Sequence, residues 1–309
     1  MPINIPMDIL IFINPISGKG KSEEIFEKIK HLFDSKFKIT VVKTEDSKSI
    51  SNYIENSKLN TEKFPNYKAI IGCGGDGTIF QIINSLKKCK LDIPVAEIPT
   101  GSSNGYFRCI SNELGLANTC TNAVEIINKF NPNRVNLLEI ENAEIFARLS
   151  ISWGIISDID INTEWLRKLG PLRFDLGAIY YILKKNSYKG ILTLISEGKT
   201  HVVKGNFIYF WACNVEYATT DVKCAPGAKI DDNKIHVTYI KSNVSRCELI
   251  SMMIHFGTEK FFSNKNVVKI EVDKFKLETY GGQIVVDGER LNTKAIDVKI
   301  LKEGNMILL

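Results

Sequence analysis

Three short stretches of this chain place glycine beside groups suited to handling phosphate. Asn14-Pro15-Ile16-Ser17-Gly18-Lys19-Gly20-Lys21 joins a pliable backbone, whose amides can face an anion, to the cations of Lys19 and Lys21. It is not a Walker A loop, because the spacing G-x4-G-K-[ST] is not met. Gly74-Gly75-Asp76-Gly77-Thr78 sets one carboxylate among glycines, so that the backbone can approach a ligand closely while a single acid projects toward it. A carboxylate beside phosphates is unfavourable unless it accepts a proton or serves a metal; the plainer alternative is a helix N-cap. Pro99-Thr100-Gly101-Ser102-Ser103-Asn104-Gly105 adds hydroxyls and amides. For the first and third loops the alternative is an ordinary turn.

Each loop follows an apolar run. Asp8–Ile13, Phe37–Val42, Ala69–Ile71 and Val95–Ile98 read as strands, and the helical spacing of Ile25, Phe26, Ile29, Leu32 and Phe33 makes Ser22–Phe33 a helix. Lys48–Asn56 and Thr78–Leu86 also read as helices. Alternating β and α elements predict a parallel sheet covered on both faces, with its loops converging at the carboxyl ends of the strands. From about Asn136 the texture changes to closely spaced strand-like runs: Val135–Ile140, Ile145–Trp153, Gly190–Ile195, Phe207–Ala212, Lys234–Ile240, Val267–Val272 and Gln283–Val286. Helices are predicted around Thr163–Leu183 and over Ser245–Phe262, the latter opened by Ser245 and Glu248 in capping-box spacing. This predicts an α/β domain over 1–140 and a mainly β domain, an antiparallel β-sandwich, over 141–309.

Composition narrows the class of function. The chain has 309 residues, 44% hydrophobic and 24% charged, which is ordinary for a globular protein. A formal charge of +5 is mild, and nucleic-acid modules are usually more basic and more clustered, so no nucleic-acid partner is expected. Seven cysteines without CxxC spacing argue for reduced thiols over a disulfide framework or a zinc site, and hence for a cytoplasmic protein. No run of about 18 apolar residues predicts a membrane span, and the N-terminus reads as a buried strand rather than a signal peptide. No pattern speaks to oligomeric state or to metal ligands.

The three loops, in this order, resemble the diacylglycerol-kinase-type lipid kinase superfamily. The motif GGDGT alone is shared with NAD kinases and phosphofructokinases, and the second half narrows the choice. Leu149-Ser150-Ile151-Ser152-Trp153-Gly154-Ile155-Ile156-Ser157-Asp158-Ile159-Asp160 is similar to the substrate segment of the sphingosine kinase family, as is its continuation through Glu164, Arg167, Leu169-Gly170, Arg173-Phe174 and Leu176-Gly177. Ala225-Pro226, Asp231-Asp232 and Val286-Asp287-Gly288-Glu289 complete the pattern.

The resemblance implies a Rossmann-like first domain and an ATP- and Mg²⁺-dependent kinase acting on a sphingoid base. It makes Asp76 the catalytic base and sets Gly74, Gly75 and Gly77 against ATP phosphates. Asn14, Thr44 and Ser102 would line the nucleotide site, joined by Ser17, Gly18, Lys19, Lys21 and Gly101 of the glycine loops, with Gly288 and Glu289 reaching it from the late strand. Arg167 and Arg173 would contact phosphates, and Asp160 would bind the substrate amine with Ser150 and Phe174 nearby. Ile155, Ile156 and Ile159 would face an alkyl tail or the domain's core. A lipid substrate implies peripheral recruitment to a membrane surface, for which the basic and aromatic stretch Leu183–Lys189 is the candidate. Ile16, Gln81, Ser103 and Asn233 depart from the family pattern. The alternatives are a diacylglycerol or ceramide kinase, and a lipid-binding relative without catalysis.

Overall fold

The structure is a computed structural model, and it describes residues 6–59, 67–163, 165 and 172–309, apart from the side chains of 57–59 and 173–175. The chain divides into two compact units, one of 1–135 with 303–309 and one of 136–302. The boundary thus falls at Val135 rather than after 140, and the last seven residues return to the first unit, a return that no local sequence pattern announces.

In chain order the first unit contains β1 (Met7–Ile13), α1 (Ser17–Gly20), α2 (Ser22–Ile29), β2 (Phe37–Lys43), α3 (Ser49–Leu59), β3 (Ala69–Gly74), α4 (Asp76–Lys88), β4 (Val95–Pro99), α5 (Gly105–Glu113) and α6 (Cys120–Lys129). The helix predicted over Ser22–Phe33 ends at Ile29 and passes into a single tighter turn, Lys30–Leu32. The strands run parallel in the order β4-β3-β1-β2, with Ile307 of the final strand pairing Val95 at the β4 edge. Residues Ile9–Ile13 and Ala69–Ile71 are buried throughout, the mark of strands covered on both faces. β1 lies between β2 and β3, so connections leave it in both directions; at such a switch point an open α/β sheet has its crevice.

The second unit continues with β5 (Pro132–Ile140, begun in the first unit), β6 (Ile145–Ala147), β7 (Ser150–Gly154), α7 (Ile155–Asn162), α8 (Leu172–Lys184), β8 (Tyr188–Ser196), β9 (Lys199–Cys213), β10 (Ile235–Lys241), α9 (Arg246–Ile254), α10 (Glu259–Phe262), β11 (Val268–Val272), β12 (Lys274–Thr279), β13 (Ile284–Val286), β14 (Glu289–Leu291) and β15 (Ala295–Leu308). Its strands pair antiparallel. The fifteen-residue β9 builds two layers. Its first half pairs β8, which pairs β12; its second half pairs β7 and β10. Phe210 on that second half meets Phe275 of β12 at 5.5 Å, ring to ring, so the layers face each other as in a sandwich.

The helices cover a further apolar cluster in which Ile155 and Ile159 pack with Tyr181, Tyr209, Leu249 and Phe261. Those two isoleucines are therefore core residues, while Ile156 is only partly buried. Of the helix predicted around Thr163–Leu183, α8 covers the described residues from Leu172 on, and α7 precedes that range, where no helix was predicted. Gly154 turns the chain out of β7 with φ +85, and a side chain there would meet the Ile208 carbonyl at 2.3 Å.

Candidate active site and family membership

All three glycine loops of the first unit lie at carboxyl ends of its parallel strands, joined there by Thr44 after β2. Asn14 organises the first loop. Its side-chain oxygen accepts the Ile16 amide at 3.2 Å and its amide donates to the Thr78 hydroxyl at 3.3 Å, tying the turn to α4. The Ser17 amide donates to the Asn14 carbonyl at 3.1 Å, and that of Thr44, a buried residue, to the Ile13 carbonyl at 2.9 Å. Gly18 and Lys19 are consecutive left-handed residues, φ +62 and +59; Gly18 is packed so closely on Thr100 that a Cβ would lie 2.4 Å from its carbonyl oxygen. Lys19 and Lys21 are exposed.

The second and third loops lie backbone against backbone, closest at Gly75 and Gly101. The Gly74 carbonyl accepts the amides of Thr100 and Gly101 at 3.1 and 3.0 Å. A Cβ on Gly101 would sit 2.4 Å from the Gly75 Cα, and one on Gly74 2.3 Å from the Thr78 hydroxyl. Asp76 does not cap its own helix, whose N-cap is Gly75. Its carboxylate reaches the start of α5, accepting the Gly105 amide at 3.1 Å and lying 3.5 Å from that of Tyr106. The acid is thus fixed at a helix N-terminus, where negative charge is favoured. Gly77 begins α4 beside it, and Ser102 is exposed on the third loop. Asn104 donates to the Gly101 carbonyl at 3.0 Å, while its buried side-chain oxygen has no hydrogen-bond partner.

The second unit holds the other candidates. The Ser150 hydroxyl accepts the Trp211 indole N–H at 2.8 Å. Asp160 is half-buried near the end of α7. Gly288 and Glu289 are exposed and follow Asp287 in a tight turn that joins β13 to β14. Arg167 lies outside the described residues, as do the side chains of Arg173 and Phe174. Asn233 takes φ +61, the left-handed conformation its residue type tolerates.

Two acids that the sequence reading did not assign stand out. Asp287 is half-buried, and its carboxylate accepts three successive amides, Arg148 at 2.7, Leu149 at 2.9 and Ser150 at 2.8 Å. Asp158, 2% exposed, accepts the Tyr188 hydroxyl at 2.7 Å and the Asn186 amide at 3.4 Å. Burial pushes the Asp158 carboxyl above its usual range, and Tyr188, Asn186 and the Lys184 charge offset only part of that. The signal available in the sequence was a lone acid inside the apolar run Ile155–Ile159. No group of three metal-ligating side chains gathers among the described residues.

Residues 8–140 match the diacylglycerol kinase catalytic domain. Sphingosine kinase 2 of Arabidopsis thaliana is 25% identical over 97% of this chain and 70% of its own length. Human sphingosine kinase 1 is 22% identical over 96% of this chain and 89% of its own. Among solved structures, a diacylglycerol kinase from Bacillus anthracis superposes with a TM-score of 0.73 over 98% of this chain and 96% of that one, at 19% identity, which speaks to the fold. The GGDGT loop, the two-unit fold and these matches converge: the chain is a lipid kinase that matches the diacylglycerol kinase catalytic domain over 8–140 and is similar to sphingosine kinases over most of its length.

Proposed function

We propose that the protein transfers the γ-phosphoryl group of ATP to the primary hydroxyl of a sphingoid base, giving sphingosine 1-phosphate from sphingosine. The observation that carries this reading is the placement of Asp76: one acid, held on the α5 amides, beside glycine loops that touch each other. Phosphoryl transfer asks chiefly for positioning and charge neutralisation. Backbone amides of Gly74, Gly75, Gly77 and Gly101 approach the phosphates, with Asn14, Ser17, Gly18, Thr44 and Ser102 lining the nucleotide and Lys19 and Lys21 adding charge. Asp76 accepts the hydroxyl proton as the new O–P bond forms; the bond to the β,γ-bridging oxygen breaks and ADP leaves with the electron pair. Mg²⁺ would supply charge neutralisation at the phosphates, and no group of three metal-ligating side chains among the described residues gathers to hold it. Gly288, Glu289, Arg167 and Arg173 keep the nucleotide and phosphate roles implied by the family pattern. Asp160 pairs with the substrate ammonium, with Ser150 and Phe174 beside it. The names of the relatives support the sphingoid substrate.

The test is an assay of purified protein with radiolabelled ATP, Mg²⁺ and a panel of sphingosine, ceramide and diacylglycerol. Transfer to sphingosine alone is expected. Transfer to ceramide or diacylglycerol instead would replace the amine-recognition reading with another lipid kinase. Binding of ATP without transfer to any lipid would leave a non-catalytic relative.

The same reading includes peripheral recruitment to a membrane. On α8, Leu172, Leu176, Ile179, Tyr180 and Leu183 are all exposed, and they recur at helical spacing as one apolar stripe. Lys184 and Lys185 follow at its end, and Lys184 lies 5.7 Å from the Tyr180 ring. An apolar stripe ending in cations suits an anionic bilayer. Of the stretch Leu183–Lys189 singled out from sequence, Leu183 and Lys184 end this helix, whereas Tyr188 opens β8 and donates to Asp158.

A further inference from the structure

Asp158 is buried, carries an acid, and has no place in the transfer chemistry. It shares the eight-residue α7 with Asp160, two positions away, so the two side chains leave the helix on different faces. Burying a carboxylate is costly unless it is hydrogen-bonded, and here the partners come from one segment, Asn186 in the connection between α8 and β8 and Tyr188 at the start of β8. Tyr188 is itself locked. Its ring lies against Trp153, with centroids 6.1 Å apart, and the Trp153 indole N–H donates to the Gly281 carbonyl at 2.9 Å. A side chain on Gly282 would strike Trp153 at 2.8 Å and Tyr188 at 2.9 Å. At the far end of α7, the Asn162 side-chain oxygen accepts the Gln283 amide at 3.4 Å. Alongside, Gly177 lets α8 lie against Ile159 and Thr163. A short helix is therefore pinned in rotation by one buried acid and at its end by one amide.

We infer that Asp158, through Tyr188 and Asn186, is a positioning residue that sets the rotation of α7 and so the presentation of Asp160 to the amine of the lipid. This rests on the reading of Asp160 as the amine partner. The test measures KM for sphingosine and for ATP, kcat, and Tm in Tyr188→Phe, which keeps the ring and removes only the hydroxyl, and in Asp158→Asn. The expected result for Tyr188→Phe is a rise of about fivefold in KM for sphingosine, with KM for ATP and kcat at saturating lipid unchanged. The deciding measurement repeats each substitution in an Asp160→Asn background, where neither should raise KM further, because two changes acting through one contact are not additive. Three results would overturn the inference: an unchanged KM for sphingosine in Tyr188→Phe, an effect that persists in full without the Asp160 carboxylate, or a parallel loss of kcat and Tm with both KM values constant. Asp160→Asn alone tests the underlying reading. If that single change leaves KM for sphingosine untouched, the amine assignment falls and takes the positioning role with it; if it raises KM while Tyr188→Phe does not, only the positioning role falls.

Discussion

At Gly101 a single methyl group separates a working loop from a broken one. A Cβ there would lie 2.4 Å from the Gly75 Cα, against backbone that cannot swing aside as a side-chain end can. Gly101→Ala should therefore weaken ATP binding and cut turnover by about tenfold or more while leaving most of the fold intact, which nucleotide titration and circular dichroism would show together. Asp76→Asn separates binding from chemistry at the same spot. The amide oxygen can still accept the Gly105 N–H, so the loop should hold and ATP affinity should survive. Turnover should fall by roughly 10²–10⁴-fold if the carboxylate is the base. Retained turnover would remove that role. The three loops were legible because glycine in this density serves little else. The Gly105 amide as the Asp76 partner was not, because it comes from 29 residues away and depends on where α5 begins. Asp158 was hidden for the opposite reason: the motif around it pointed to its neighbour Asp160.

At the scale of elements, legibility followed the locality of the signal. The capping box of Ser245 and Glu248 is present as predicted, since both of its bonds lie within one turn. The four parallel strands matched their apolar runs for the same reason. The region after β7 did not. An apolar stretch shorter than three helical turns reads alike as strand or helix, and the turn at Gly154 is decided by packing against Ile208. The turn before β10 shows how a local motif becomes a stability device. Burial alone would raise the Asp232 carboxyl, but the His236 side chain at 2.7 Å and the amides of Lys229 and Lys234 outweigh it and hold the group below its ordinary value. A folded-state value below the unfolded one stabilises the protein at higher pH. That contribution is complete above the unfolded value, about 3.9, and is lost as the pH falls through the lower folded value. A series of Tm against pH should thus decline on its acid side, and Asp232→Asn should flatten the decline below about pH 4 while lowering Tm near neutrality by a few degrees. An unchanged acid slope would show that other carboxylates carry it.

For the whole molecule, the return of 303–309 to the first unit and the apolar face of α8 are both long-range outcomes. The first needs a partner strand 212 positions away in sequence, Ile307 against Val95, and could not be read locally. The second was half legible. Amphipathic spacing announces a helix, but which side meets the core depends on α7, whose existence was missed. Under the proposed recruitment the exposed stripe would give the mild +5 charge a specific use, with Lys184 and Lys185 at the end where a docked helix would meet anionic headgroups. Ile179→Asp with Leu183→Asp changes two exposed positions, so folding and Tm should be unaffected. Sedimentation with vesicles of phosphatidylcholine and phosphatidylserine should fall by about tenfold or more, because two exposed apolar side chains that docking would bury in the bilayer are replaced by charges that it excludes. Raising salt should weaken wild-type binding in part, leaving the apolar share. The contrast that matters is kinetic. Against sphingosine delivered in detergent micelles the double variant should turn over as the wild type does, and against sphingosine in vesicles it should lag, because only the second requires docking before the lipid can leave its bilayer. Equal loss in both would mean that α8 acts on the substrate site itself, and equal activity in both would assign recruitment to another surface.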